Sequence, residues 1–83
     1  MDKVNVICLD DLPVLVMTGE KSLAMDLMGR LNYMMENKQY TYLKTEMVKQ
    51  RMFIPSLLQG VLTINKAKQL EHKRFYVHQC MLV

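Results

Sequence analysis

Four side chains in this sequence of 83 residues have the chemistry of zinc ligands: Cys8, His72, His78 and Cys80. Four nitrogen and sulfur donors are what a structural zinc site needs. His78 and Cys80 lie two apart, so on a strand they share a face. The paired C-x-x-C knuckle is missing, however, and a charged stretch separates His72 from the others. The pattern reads better as two small core hydrophobes and two surface histidines. No metal and no other cofactor is expected.

The same residues would supply a thiol nucleophile and its base, Cys8 or Cys80 with His78. Side chains at that strand spacing stand apart more often than they touch, and a short chain builds a water-excluding cleft with difficulty. Asp10 and Asp11 are adjacent, which suits a turn better than an acid–base pair. The stretch LVMTGEKSLAMDLMGRL (15–31) sets Lys21-Ser22 at a strand-to-helix junction, but Glu20 stands where a phosphate loop needs glycine. Glu20 also brings negative charge to the place a phosphate would occupy. These residues support no catalytic constellation, and the chain is expected not to be an enzyme.

Two surfaces for binding remain. YTYLKTEMVKQRMF (40–53) interleaves Tyr40, Tyr42 and Phe53 with Lys44, Lys49 and Arg51, and HKRFYVH (72–78) sets Lys73 and Arg74 beside Phe75 and Tyr76. On a sheet, aromatic faces stack bases while lysine and arginine meet phosphates. No RNP-type motif, GXXG loop or helix-turn-helix pattern accompanies them, and a net charge of +3 is modest for such a domain. The second surface is methionine-rich. Met25, Met28, Met34 and Met35 lie in one helical stretch, and their flexible, polarizable side chains suit a face for self-association.

Charge divides the chain. Residues 1–37 hold three bases and six acids, whereas residues 38–83 hold eight bases and two acids. Such polarity steers an acidic partner or favours head-to-tail association, unless the halves interleave in space. Two cysteines are too few for a disulfide framework, and no apolar run approaches a membrane span. The start MDKVNVICLDD is unlike a signal peptide, so a reducing, cytoplasmic setting is expected.

The elements that must carry these residues follow from periodicity. KVNVICL (3–9) and VLVMT (14–18) read as two strands about the turn DDLP (10–13). Residues 20–37 form an amphipathic helix on Leu23, Leu27, Leu31 and Met34, begun by Thr18 or Ser22. Gly29 in its middle suggests close packing on a sheet. YTYLKTEM (40–47) alternates like a half-wet strand, RMFIP (51–55) and VLTI (61–64) add short strands, and SLLQG (56–60) makes one tight turn. NKAKQLEHK (65–73) is either a short helix capped by Asn65 or a loop. RFYVHQCMLV (74–83) is the last strand.

The expected architecture is a single α+β domain over 1–83: a mostly antiparallel sheet of five to six short strands with one main helix on a face. The expected function is that of a small non-enzymatic intracellular protein. It would modulate a larger protein partner by contact and form homo-oligomers, as an inhibitor or adaptor does. A viral, phage or mobile-element origin suits the size, with no particular residue to carry it. The rival is a nucleic-acid-binding regulator using Tyr40, Tyr42, Lys44, Lys49, Arg51, Lys73 and Arg74. No membrane association is expected.

Overall fold

The computed structural model describes residues 3–81. Strand β1 (Lys3–Leu9) turns at Asp10-Asp11 into β2 (Leu12–Thr18), followed by helices α1 (Lys21–Glu36) and α2 (Tyr40–Lys49). A 3-10 turn at Ser56–Leu58, helix α3 (Ile64–Leu70) and strand β3 (Phe75–Met81) complete the order. The sheet runs β2-β1-β3, with both neighbours antiparallel to β1.

The α+β class matches expectation, but the count does not: among the described residues there are three strands and three helices. The expected strands at 40–47, 51–55 and 61–64 do not form. Residues 40–49 are helical because Tyr40, Leu43 and Met47, at i, i+3 and i+7, are the side chains that reach the core. Residues 51–55 form no strand: Arg51 and Met52 close the turn after α2, and the Phe53 N–H makes a single bond of 2.8 Å to the Val14 carbonyl. Residues 61–63 lead into α3, whose cap is the Thr63 hydroxyl, accepting from the Lys66 N–H at 3.2 Å, rather than Asn65.

The hairpin turns where aspartate chemistry allows it. Asp10 takes φ 52°, a left-handed conformation that aspartate tolerates better than most residues. Its carboxylate accepts from the Arg74 N–H (3.1 Å) and pairs with the Lys73 ammonium (3.4 Å), tying the β1–β2 turn to the start of β3. Opposite Ile7 and Cys8 the register of β2 slips, so that Val14 has no direct partner and its side chain drops into the core.

All three helices gather on one face of the sheet. Ile7, Leu9, Leu27, Leu31, Met35, Leu43, Met47, Leu70 and Phe75 are almost wholly buried there. Each large side chain so buried contributes roughly 1.5–3 kcal/mol before entropy is charged against it. The buried seam of α1 is Ala24, Leu27, Leu31 and Met35. It is rotated from the expected stripe, leaving Leu23 57% exposed. Glu20, not Thr18 or Ser22, precedes the first turn of α1, without a side-chain cap. Helices α1 and α2 stop alike. After α1, Lys38 and Gln39 donate to the carbonyls of Met35 and Met34; after α2, Arg51 and Met52 donate to those of Val48 and Met47. This double bond pattern is the Schellman stop, with Lys38 (φ 58°) and Arg51 (φ 57°) in the left-handed place that glycine usually takes. No helix among the described residues is long and apolar enough to cross a membrane.

Candidate functional site

The residues singled out for chemistry are scattered. Cys8 is buried in the central strand, Cys80 is exposed on β3, and both thiols are free. By register, Val4, Val6 and Cys8 lie beside Cys80, His78 and Tyr76 on the sheet face turned from the helices. Burial pushes the Cys8 thiol above its ordinary value, with smaller contributions from Cys80 and Asp11, so it is less of a nucleophile than a free cysteine. His72 lies in the turn after α3, away from that face of β3. Among the described residues no three His, Cys, Asp or Glu side chains come together as metal ligands would.

The basic and aromatic residues do not assemble into a sheet surface, because 40–49 is a helix. Tyr40 is 7% exposed and belongs to the core, where its hydroxyl has no hydrogen-bond partner among the described residues. Lys44 borders a small hollow of about 190 Å³ with Tyr40, Leu58 and Leu62. Lys49 and Arg51 are exposed at the end of α2. Lys73 is engaged with Asp10, and the Arg74 guanidinium donates to the carbonyls of Glu71 (3.1 Å) and Lys73 (2.7 Å). The guanidinium of Arg74 thus braces the turn before β3.

What the fold does assemble is a groove between α1 and α2. It is a wide, open depression of about 780 Å³, lined by Met25, Gly29, Tyr33 and Met34 from α1, with Tyr42 from α2 and Gln39 just before it. Asp26 and Arg30 stand on its rim. Tyr33 and Tyr42 are 64% and 69% exposed, and Met25 is 42% exposed. Such aromatic and thioether side chains are what adaptable contact surfaces use. Of the four methionines expected at a self-association face, Met25 and Met34 reach the groove. Met35 is buried in the core, and Met28 packs against it. Tyr42 lines the groove as a helix residue rather than standing on a sheet.

Gly29 is the residue that sequence placed on the wrong side. It lies at the outer pole of α1, opposite the buried seam, and a Cβ added there would meet nothing within 4 Å. Packing on the sheet therefore does not explain it. A glycine inside a helix costs about 1 kcal/mol relative to alanine, and among the described residues no contact offsets that cost. Spacing carried the signal: Met25, Gly29 and Tyr33 recur at i, i+4 and i+8 on the polar side of the helix.

Compared with protein-family models, with curated proteins and with solved structures, the chain matches none.

Proposed function

We propose that this protein acts by contact: a small non-enzymatic cytoplasmic protein that binds and modulates a larger protein and also associates with itself. The observation that carries this reading is the α1–α2 groove, where two tyrosines and a methionine stay exposed around a helical glycine. A single domain rarely leaves such a concentration of aromatic and thioether surface open without a use for it. Lys49 and Arg51, at the far end of α2, offer an acidic partner a charged flank beyond the groove.

The test is a photoreactive amino acid in place of Tyr42, in cells expressing the full chain. Discrete protein adducts are expected, and Tyr33→Glu should remove them without unfolding the protein. Adducts to nucleic acid alone, or none from folded and abundant protein, would overturn the reading.

A further inference from the structure

The contact reading above leaves open how a second copy docks, and resting on that reading we infer that α1 pairs with α1 of a second copy. The two helices run antiparallel about a two-fold axis at Gly29. Three observations converge on this arrangement. The first is that Gly29 is open to solvent at the outer pole of the helix, with no atom near its missing Cβ. A glycine there lets two helix backbones approach closely at the crossing point, as larger residues do not. Among the described residues no other element uses that access.

The flanking residues are self-complementary. About a two-fold at Gly29, position 25 of one copy faces position 33 of the other. Met25 then meets Tyr33 of the second copy twice over, a thioether against an aromatic ring. These are among the exposed groups of the groove wall.

The charges fix the direction. Asp26 and Arg30 are one turn apart, on the same flank of α1. In the antiparallel arrangement Asp26 comes to within two residues of level with Arg30 of the second copy, an axial offset of about 3 Å at the helical rise. A lysine-length side chain spans that offset easily, and arginine is longer. The symmetry makes two such pairs per dimer. In a parallel arrangement, with the two-fold along the helices, the Asp26–Arg30 flanks of the two copies fall on opposite sides of the seam and make no such pairs. Within one chain Asp26 has no ion pair among the described residues, while exposed Arg30 reaches Glu46 at 3.6 Å. The occupant of the Met25–Gly29–Tyr33 face of α1 is therefore a second copy of this chain, and unlike charges across the axis select the antiparallel orientation.

The symmetry supplies a sharp experiment with purified full chain, read by sedimentation at low salt and by energy transfer between labelled copies. The wild-type chain should dimerise. Asp26→Arg and Arg30→Asp should each weaken dimerisation roughly tenfold or more, because each turns two attractive pairs into repulsions. Mixed together, the two variants should recover a dimer. In that mixed pair the introduced arginine faces the introduced aspartate, and the unaltered Arg30 of one copy faces the unaltered Asp26 of the other. Gly29→Ala should raise the melting temperature of the isolated chain yet weaken dimerisation, a pair of effects that loss of folding cannot produce. A monomeric wild type would overturn the pairing while leaving adducts to a larger protein intact. A dimer indifferent to both charge reversals, or a mixture that fails to recover, would overturn it as well. Far-ultraviolet circular dichroism confirms that each variant is folded.

Discussion

The carboxamide of Asn32 stands to the backbone of Phe75 as a neighbouring strand would. Its Nδ2 donates to the Phe75 carbonyl at 3.0 Å, and its Oδ1 accepts from the Phe75 N–H at 2.8 Å. A single side chain on α1 thus occupies both polar groups at the beginning of an edge strand, and joins the main helix to the sheet. Phe75 itself is 1% exposed, so these backbone groups have little access to water. Asn32→Ala should cost about 1–3 kcal/mol, the penalty for leaving part-buried groups unpaired. Denaturant titration measures it, and the Phe75 amide should lose its hydrogen-exchange protection more than its neighbours on β3.

The reverse holds at Tyr40. Its ring fills the core, but the buried hydroxyl finds no partner among the described residues. Tyr40→Phe removes a polar atom whose desolvation is uncompensated and keeps the packing. The substitution should leave stability unchanged or raise it by up to about 1 kcal/mol. Tyr40→Ala, which empties the site, should cost about 3–5 kcal/mol. The two denaturation midpoints check the sign and the contrast.

The stops of α1 and α2 make a third expectation. Lys38 and Arg51 hold a left-handed conformation that costs an L side chain roughly 1–2 kcal/mol and costs glycine little. Glycine gives back some of that gain through a more flexible unfolded chain. Arg51→Gly should therefore stabilise the protein by about 0.5–1 kcal/mol, and Arg51→Val should destabilise it. Thermal melts of the pair decide the matter, because loss of charge is common to both.

The thiols should part company. Exposed Cys80 should react with a disulfide reagent at mild alkaline pH, giving one equivalent quickly, while buried Cys8 reacts only as the chain opens. Burial raises the folded-state pKa of Cys8 above its ordinary value of 9.0. The folded chain therefore holds this proton more tightly than the unfolded chain, and its contribution to stability is complete below about pH 9. That contribution declines as pH climbs past the ordinary thiol value toward the folded one. Cys8→Ala should flatten this part of the stability-versus-pH curve, as measured by urea denaturation across alkaline pH.

The hairpin, α1 and the last strand were legible because each shows a single period. Val4, Val6 and Cys8 alternate with Ile7 and Leu9 on a strand bounded by aspartates, and α1 repeats its apolar residues every three or four positions. Residues 40–47 carry both periods at once. Tyr40, Tyr42, Lys44 and Glu46 alternate with Thr41, Leu43, Thr45 and Met47, and the tyrosines and threonines add β-propensity. Yet Tyr40, Leu43 and Met47 also form a helical seam. In so short a window the core decides, and it lies where only the helical seam can reach it. The helix stops were hidden for a related reason: a Schellman turn built on lysine or arginine carries no glycine to mark it. The groove was half visible. Its methionines are visible in the sequence, whereas Tyr33, Asp26 and Arg30 belong to no motif and become part of a site only where the fold sets Tyr42 beside them.

Among the described elements the central strand β1 is made before the rest, and one of its two neighbours, β3, after them all. The ladder that joins Lys3–Leu9 to Phe75–Met81 cannot zip while the ribosome still holds the residues of the later strand. Until then α1 and α2 have only a two-stranded hairpin to lie on, and a hairpin of that size is marginal by itself. The domain should therefore fold in one late step, only once β3 has left the ribosome, and slowly for its size because β1 and β3 are far apart in sequence. Before that step Ile7, Leu31 and Leu43 stand open to any chaperone that reads apolar surface.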